Sequence, residues 1–350
     1  MISYDVIEHG RPLQKVLKET PDPKGTEVLV RITRSGVCHS DLHIWDGYFD
    51  LGGGKRFYVK ERGCVPPFTL GHEPFGIVEA LGPRAKGVKV GQKRIVFPWI
   101  GCGKCAMCKD GLDNYCTAMR TIGVIKPGAY STHLIVPHPK YLVDAGGIEA
   151  SFAATLACSG VTAYSAFCKL PKISSRDAVA VIGCGGVGLA TISVLRAKGV
   201  RNVIACDVDE AKLTVAKNFG ARLTLDTRAP DAVAKLQALA KGCLAGVIDL
   251  VGMPATAALG LAALRKGGCY VICGLYGGEL KHPLPTFPLR ALRVAGSYVG
   301  NLRELKAVVA LAKKKKLKAL PLTTRPADDV NTILQDLKAG KVLGRVVLAF

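Results

Sequence analysis

Four cysteines lie close together in a glycine-rich segment of the chain. Cys102, Cys105, Cys108 and Cys116 have the spacing C-x2-C-x2-C-x7-C. Four thiolates leave no open coordination position, which suits a structural zinc ion in a closed tetrahedral site. An iron–sulfur cluster is the alternative, since C-x2-C-x2-C also begins a ferredoxin pattern, but the fourth spacing differs and no proline follows Cys116. The pattern therefore favours structural zinc.

A second set of zinc-ligand residue types is dispersed along the chain. It consists of Cys38-His39-Ser40-Asp41-Leu42-His43, then Gly71-His72-Glu73, and then Cys158 just before Ser159-Gly160-Val161-Thr162. Cysteine, histidine and carboxylate side chains all bind zinc in proteins. No single piece of this set is diagnostic, so its weight depends on the motifs around it.

A glycine-rich turn follows an apolar strand and opens a helix. Its residues, Gly183-Cys184-Gly185-Gly186-Val187-Gly188, fit the pattern G-x-G-x-x-G. Glycines let backbone N–H groups at a helix N-terminus approach a pyrophosphate, and the helix dipole favours its negative charge. Asp207 follows 19 residues beyond Gly188, where a carboxylate can accept hydrogen bonds from ribose hydroxyls and would repel a 2′-phosphate. The turn therefore predicts NAD rather than NADP, with Lys212 as a second ribose contact.

The elements that must position these residues change in type near residue 148. Before it, short apolar runs alternate with glycine and proline, as in an irregular β domain, at 27–32, 76–80, 93–97 and 133–136. After an alanine-rich helix over 148–167, strand patterns alternate with helices, at 178–182, 202–207, 222–225, 246–250, 268–273 and 293–296. This alternation indicates a doubly wound parallel sheet.

The last part of the chain is predicted to return to the first domain. Helices are expected over 301–314 and 327–340, followed by a lone strand over 344–350. A single closing strand needs a sheet to pair with, and the nearest unfinished one belongs to the β domain.

Composition limits the possible classes of function. With 350 residues and 49% hydrophobic content, the chain can fold as two domains without disulfides, and collagen-like, coiled-coil and disordered classes are excluded. The net charge is 48 − 27 = +21, but the basic residues are dispersed and not interleaved with aromatic residues, so no nucleic-acid partner is expected. Thirteen cysteines without a signal-peptide pattern indicate the cytoplasm. The uncharged stretch 178–195 contains four glycines, so no membrane span is expected.

Taken together, the motifs resemble the zinc-dependent medium-chain alcohol dehydrogenase family over nearly the whole chain. The counterparts are the segment from Cys38 to His43, Gly71-His72-Glu73, the four-cysteine segment, Cys158 before Val161-Thr162-Ala163-Tyr164, the glycine-rich turn and Asp207. The resemblance implies an α/β protein with a GroES-like catalytic domain (1–159 and 297–350) and a Rossmann NAD-binding domain (160–296). It also implies a homotetramer.

The resemblance further implies a catalytic zinc site. Cys38, His72 and Cys158 would bind this zinc, with Glu73 and Asp41 supporting them. Zinc would act as a Lewis acid on a primary or secondary alcohol, which NAD would oxidise to an aldehyde or ketone.

Other positions would handle the proton and the coenzyme. Ser40 would take the proton of the alcohol, and His43 would pass it to solvent, which suits a side chain with an ordinary pKa of ~6.5. Thr162 would lie near the nicotinamide, and His39 and Arg345 near the pyrophosphate; Arg345 could equally be a surface charge.

Residues 47–64 depart from the family pattern. They lengthen the interval between His43 and His72 to 28 residues, and an insertion here should reshape the substrate pocket. The insertion contributes the aromatic residues Tyr48, Phe49, Phe57 and Tyr58. These predict an apolar lid for a bulky or aromatic alcohol, and Trp99 or Phe97 is expected to add to the pocket. Its four cations, Lys55, Arg56, Lys60 and Arg62, are expected to face water rather than an anionic group.

Three alternative functions stay open at this point. The enzyme could act physiologically as a carbonyl reductase, because direction depends on metabolite ratios. It could be a non-redox relative that catalyses elimination or isomerisation. It could also keep the fold and bind a polyanion through its positive surface.

Overall fold

The apolar runs of the first 148 residues form short strands, because alternate side chains enter a common core. The computed structural model describes all 350 residues. The strands here are β1 (Ile2–Val6), β2 (Gln14–Leu17), β3 (Val28–Val37), β4 (Tyr48–Gly52), β5 (Lys55–Tyr58), β6 (Phe68–Thr69), β7 (Pro74–Leu81), β8 (Lys93–Val96), β9 (His133–Val136) and β10 (Leu142–Asp144). Two short helices, α1 (His39–Asp46) and α2 (Ala106–Lys109), interrupt them.

A long helical segment connects this domain to the next. It consists of α3 (Ala150–Thr155), a π-helical turn at Leu156–Gly160 and α4 (Val161–Cys168). The segment is long and apolar enough to cross a membrane by length and composition alone, but 72% of it is buried inside the protein, as for a helix of a folded core. The predicted domain boundary at 159/160 falls inside this continuous helix, and the predicted domain limits stay a prediction.

Six parallel strands form the sheet of the second domain. The elements in order are β11 (Ala178–Ile182), α5 (Gly186–Ala197), β12 (Asn202–Asp207), α6 (Glu210–Phe219), β13 (Leu223–Asp226), α7 (Ala232–Leu239), β14 (Leu244–Asp249), α8 (Pro254–Ala263), β15 (Cys269–Ile272), α9 (Thr286–Arg290) and β16 (Arg293–Gly296). The strand order is β13-β12-β11-β14-β15-β16, so the direction of winding reverses between β11 and β14. A doubly wound sheet binds its ligand beyond the carboxyl ends of the strands at this reversal. The predicted strands are all present.

The end of the chain returns to the first domain. Its elements are α10 (Leu302–Lys313), β17 (Leu322–Pro326), α11 (Val330–Lys338) and β18 (Arg345–Ala349). Strand β18 pairs antiparallel with β3 and parallel with β17, which extends the sheet to the order β10-β8-β7-β3-β18-β17, with β9 also beside β3. The predicted return of the closing strand is therefore confirmed, and it places Arg345 beside the catalytic candidates that follow β3.

Candidate active site

Strand β3 ends at Val37, and the next residue, Cys38, is the N-cap of helix α1. The backbone N–H of Cys38 donates to Asp41 Oδ2 at 2.9 Å, and the backbone N–H of Asp41 donates to the carbonyl of Cys38 at 3.0 Å. A carboxylate in the first turn also suits the positive end of the helix dipole. The local sequence thus fixes the direction in which the Cys38 side chain points.

The carboxylate of Asp41 also connects two distant residues. It is fully buried, and its Oδ2 accepts a hydrogen bond from the Tyr130 hydroxyl at 2.9 Å. Its Oδ1 lies 3.0 Å from Nδ1 of His72. Because the carboxylate accepts, Nδ1 carries a proton, and in the neutral ring Nε2 then presents a lone pair. Sequence analysis named Asp41 but missed Tyr130, which no local pattern marks.

Four potential ligands meet in the interior between the domains. The side chains of Cys38, His72, Glu73 and Cys158 are buried, and their donor atoms lie within 4.8 Å of one another. The two sulfurs are 4.0 Å apart, and Nε2 of His72 has no hydrogen-bond partner. A buried lone pair that faces two thiols is the donor set of a zinc site, so these residues fit the metal.

The two thiols have different proton affinities. The neighbouring Cys158 thiol, followed by His72 and Arg345, holds the pKa of Cys38 well below its usual range. Cys158 comes from the π-helical turn, a widened turn that is common at functional sites. In the same turn the carbonyl of Ala157 accepts a hydrogen bond from Trp99 Nε1 at 2.9 Å.

Glu73 is paired with an arginine from the other end of the chain. Arg345 Nη2 donates to Glu73 Oε1, and both side chains are buried. Arg345 is therefore not a surface charge. Burial raises the pKa of Glu73 to about 7 against the opposing effect of Arg345. A Cβ added to Gly186 would come within 2.2 Å of Arg345 Cδ, so the arginine also packs against the glycine-rich turn.

The two predicted proton carriers lie on α1. Ser40 Oγ is 4.0 Å from the sulfur of Cys38. His43, one turn further along the helix, stacks on Phe49 of β4 with a centroid distance of 4.7 Å and an angle of 28°. Desolvation lowers the pKa of His43 from its ordinary value, and His39 lowers it further.

The four cysteines of the segment 102–116, here called the four-cysteine lobe, also converge. Their sulfurs all lie within 4.8 Å of one another, with Cys105 and Cys116 at 3.7 Å. Backbone N–H groups of Lys104 and Cys105 lower the pKa of Cys102 to about 6, which favours a thiolate at neutral pH. A Cβ on Gly101 would lie 2.3 Å from Cys108 Sγ, so a glycine is needed at this position. The lobe fits a closed four-sulfur metal site.

The glycine-rich turn is held to the neighbouring strand by Asp207. The backbone N–H of Cys184 donates to Asp207 Oδ2 at 2.6 Å, and the N–H groups of Val208 and Asp209 donate to Oδ1 at 2.8 and 3.0 Å. A carboxylate offers about four acceptor positions, so one position on Oδ2 remains for a hydroxyl group. Sequence analysis gave Asp207 a ribose role and did not foresee that it also holds the turn.

The cationic candidates gather around this turn. Desolvation in the cleft lowers the pKa of His39, and the charges of Arg345 and Lys212 lower it further, against the opposite effect of Cys38. A Cβ on Gly185 would meet nothing within 4 Å, so the N-terminus of α5 faces open space. Thr162 lies on α4, one turn beyond Cys158. The arrangement can accept a pyrophosphate at the helix N-terminus.

Sequence analysis also missed Asp249 at the end of β14. This buried carboxylate accepts hydrogen bonds from the N–H groups of Val251 and Gly252 at 2.8 and 3.0 Å, from Thr256 Oγ1 at 2.6 Å and from the Tyr270 hydroxyl. It shapes the loop after β14, which lies at the reversal of the sheet. A lone aspartate that ends an apolar strand is a signal that could have identified it.

The predicted pocket aromatics divide into two groups. Trp99 packs against His72 with centroids 5.4 Å apart and against Tyr298 at 6.1 Å, so it lines the site. Phe97 is fully buried and stacks on Tyr141, so of the two residues named as alternatives, Trp99 is the one beside the site. Residues 47–64 form a two-stranded hairpin of β4 and β5, followed by a 3-10 turn.

Comparison with known proteins identifies the family. Residues 24–146 match the alcohol dehydrogenase GroES-like domain, and residues 186–314 match the zinc-binding dehydrogenase domain. The NAD-dependent alcohol dehydrogenase of Sulfurisphaera tokodaii is 35% identical over 349 residues, which are 99% of each chain. An alcohol dehydrogenase of Geobacillus stearothermophilus is 31% identical over 98% of each chain. The crystal structure of the alcohol dehydrogenase from Aeropyrum pernix superposes over 100% of both chains with a TM-score of 0.90 at 30% identity.

The chain therefore belongs to the zinc-dependent medium-chain alcohol dehydrogenase family. The predictions of a GroES-like domain joined to a Rossmann domain and of an oxidoreductase of the alcohol dehydrogenase class are confirmed. The prediction of zinc and NAD as cofactors is confirmed as well.

The four-cysteine lobe yields a metal-content prediction. Cys105→Ser should reduce the zinc content from two ions to one per chain and lower the melting temperature, because a hydroxyl is a poor zinc ligand. Elemental analysis of purified protein measures the metal. Cys168→Ser, at an exposed cysteine outside the lobe, is the control and should keep both ions. Iron in place of zinc, or two zinc ions in the Cys105 variant, would contradict the prediction.

Proposed function

We propose that the protein catalyses the NAD-dependent oxidation of a primary or secondary alcohol at the cluster of Cys38, His72 and Cys158. The main support for this proposal is that Nε2 of His72 is buried without a hydrogen-bond partner and faces the thiols of Cys38 and Cys158. Ser40 lies beside the Cys38 thiol. Three protein donors leave a fourth zinc position for a substrate oxygen, as in catalytic rather than structural sites. A zinc ion bound there would supply Lewis-acid assistance for loss of the alcohol proton, and NAD would accept the hydride.

The residues around the cluster would hold its geometry. Asp41 fixes the ring of His72 through Nδ1, and Glu73 balances the buried charge of Arg345 next to the cluster. Oriented ligands of this kind usually raise metal affinity, because the protein does not have to rearrange when the metal binds.

Ser40 and His43 would carry the proton away from the substrate. Ser40 is the hydroxyl beside Cys38, and His43 lies one turn away on the same helix, with both side chains half-buried. Bound NAD would supply a ribose hydroxyl for this relay, and Ser40 and His43 would be the protein groups that take up and release the proton.

The glycine-rich turn would bind the pyrophosphate of NAD. The N-terminus of α5 faces open space, and His39, Lys212 and Arg345 supply positive charge around it. Asp207 has an acceptor position for a ribose hydroxyl, which favours NAD over NADP, and Thr162 would contact the nicotinamide side.

The substrate is proposed to carry a bulky or aromatic group. Phe49 stacks on His43 and approaches Phe57, and Trp99 packs between His72 and Tyr298, so four aromatic side chains lie next to these two histidines. Oxidation and reduction use the same site, so a physiological carbonyl reductase remains a second proposal for the same residues.

The first test is formation of reduced nicotinamide with NAD or NADP against short aliphatic, long aliphatic, aromatic, cyclic and carboxylate-bearing alcohols. We expect turnover with NAD and preference for aromatic alcohols. Cys38→Ser should abolish turnover. The variant should still bind NAD, as measured by calorimetry, because Cys38 lies in the zinc cluster and not in the glycine-rich turn. Retained turnover in this variant would refute the zinc mechanism, and equal rates with ethanol and benzyl-type alcohols would refute the substrate class. Salt-sensitive polyanion binding without turnover would favour the binding alternative.

The proton path yields a pH prediction. Neutral imidazole accepts the proton, so activity is lost as the pH falls through the pKa of His43. Because that pKa is lowered from 6.5, kcat/KM for alcohol oxidation should hold from neutral pH to below 6.5 before it falls. His43→Gln should remove this fall and reduce kcat by about 100-fold or more. His133→Gln, at a half-buried histidine of β9 that pairs with Glu79, should keep the wild-type profile. An unchanged profile in His43→Gln would exclude the proposed path.

The oligomer and compartment are also proposed. Edge strand β16 is unpaired on one side, and Leu284, Leu289 and Val294 near it are exposed, which supports association of identical chains. We propose a homotetramer in the cytoplasm, where the six zinc-ligand cysteines would stay reduced. Light scattering in solution should give four times the mass of one chain, and a monomeric mass would refute the assembly.

A further inference from the structure

The hairpin of residues 48–58 reaches from the catalytic domain to the coenzyme domain. A Cβ placed on Gly52 would lie 2.7 Å from both Cα and the carbonyl carbon of Gly278. A Cβ on Gly277 would lie 3.0 Å from the carbonyl oxygen of Asp50. The two backbones therefore touch without side chains between them, and only glycine fits at the closest points.

The loop that contacts the hairpin tip is hydrogen-bonded to the rest of the coenzyme domain. The N–H groups of Tyr276 and Gly277 donate to the carbonyls of Val251 and Gly252 at 3.1 and 3.2 Å. These two carbonyls belong to the loop that Asp249 holds through the adjacent N–H groups. The hairpin tip thus contacts a rigid surface at the sheet reversal, where the nicotinamide end of NAD is expected.

The strands behind the tip complete one wall of the cleft. Phe49 stacks on His43 at 4.7 Å, and its ring is 6.4 Å from that of Phe57. The guanidinium of Arg62 covers Phe57 at 4.9 Å. Near His72 the aromatic side chains are Trp99, which packs against His72, and Tyr298, which packs against Trp99. Burial raises the pKa of Tyr298, and the positive charge of Arg62 opposes this rise.

The contacts of the hairpin begin at the proposed proton carrier, and those of Tyr298 and Trp99 end at a proposed metal ligand. We propose that the hairpin is a latch: docking of Gly52 on Gly278 closes the substrate pocket and holds Phe49 and Phe57 as its specificity-determining residues. The inference rests on the proposed function, because it names the part of the same site that selects the apolar group of the alcohol. Phe49 and Phe57 lie on the two strands of the docked hairpin, so losing the dock should release both phenylalanines together.

The chain provides a matched pair of variants to test the latch. Gly52 and Gly54 both have left-handed backbone angles, with φ of 83° and 77°, but a Cβ on Gly54 would meet nothing within 4 Å. Gly52→Ala and Gly54→Ala therefore share the same kind of backbone strain, and only Gly52→Ala disrupts the dock.

Hydrogen exchange measured by mass spectrometry reports on the contact between Gly52 and Gly278, and it does not require an active enzyme. We expect the amides of residues 48–58 and 274–280 to exchange faster in Gly52→Ala than in Gly54→Ala, with and without NAD. Equal exchange in the two variants would overturn the latch whatever the activity of the protein.

Steady-state kinetics test whether the contact between Gly52 and Gly278 affects substrate binding. Gly52→Ala should raise KM for an aromatic alcohol by about tenfold, a change of one decade in affinity, and alter kcat less. Gly54→Ala should keep the wild-type KM. Faster exchange in Gly52→Ala with an unchanged KM would show that the hairpin docks but does not form the pocket, and would overturn the proposal.

A second pair of variants tests specificity. Phe49→Ala should lower the ratio of kcat/KM for benzyl alcohol to that for ethanol by about tenfold, because the small substrate does not reach the removed ring. Leu51→Ala, at an exposed leucine of the same strand, is the control. An unchanged ratio in Phe49→Ala would remove Phe49 from the pocket. Absence of alcohol oxidation by the wild-type protein would instead refute the proposed function, and the exchange experiment would still decide on the dock.

Discussion

The site depends on one buried carboxylate. Asp41 binds the backbone N–H of Cys38, the hydroxyl of Tyr130 and Nδ1 of His72, which come from three separate parts of the chain. A buried carboxylate must have its acceptor positions filled, because an unpaired buried charge is costly. Satisfying Asp41 therefore brings the end of β3, the segment before β7 and Tyr130 together. The same contact turns the free nitrogen of His72 towards the two thiols.

A second buried charge connects the metal cluster to the coenzyme domain. Arg345 on the closing strand pairs with Glu73 beside the cluster, and its side chain packs on Gly186 of the glycine-rich turn. Removing one member of a buried ion pair commonly costs about 3 to 5 kcal/mol, because the other charge stays behind. The closing strand thus has two structural roles: it completes the sheet beside β3, and its arginine holds the candidate metal ligands close to the glycine-rich turn.

Close backbone approaches join the remaining parts of the site. A Cβ on Gly188 would lie 2.0 Å from the carbonyl oxygen of Gly183, so helix α5 can pack tightly against the turn that begins it. Gly101 makes room for Cys108 in the metal lobe, and Gly52 makes room for the coenzyme domain at the hairpin tip. In each case the missing side chain permits a contact that positions a functional group nearby.

The sequence alone determined the features whose residues are neighbours in the chain. The four-cysteine spacing, the glycine-rich turn with Asp207 and the six parallel strands are local patterns, because a ligand lobe or a βαβ unit is built from consecutive residues. The family resemblance is a set of such short motifs in a fixed order along the chain. Other features became visible only in the tertiary structure. These are the π-helical turn that contains Cys158, the hydrogen bond from Tyr130 to Asp41, the backbone contact of Gly52 with Gly278 and the burial of Arg345. Glu73 and Arg345 are 272 residues apart, and no periodicity reports such a pairing. It arises because the closing strand completes the sheet beside β3, which removes the arginine from water and leaves Glu73 to neutralise its charge.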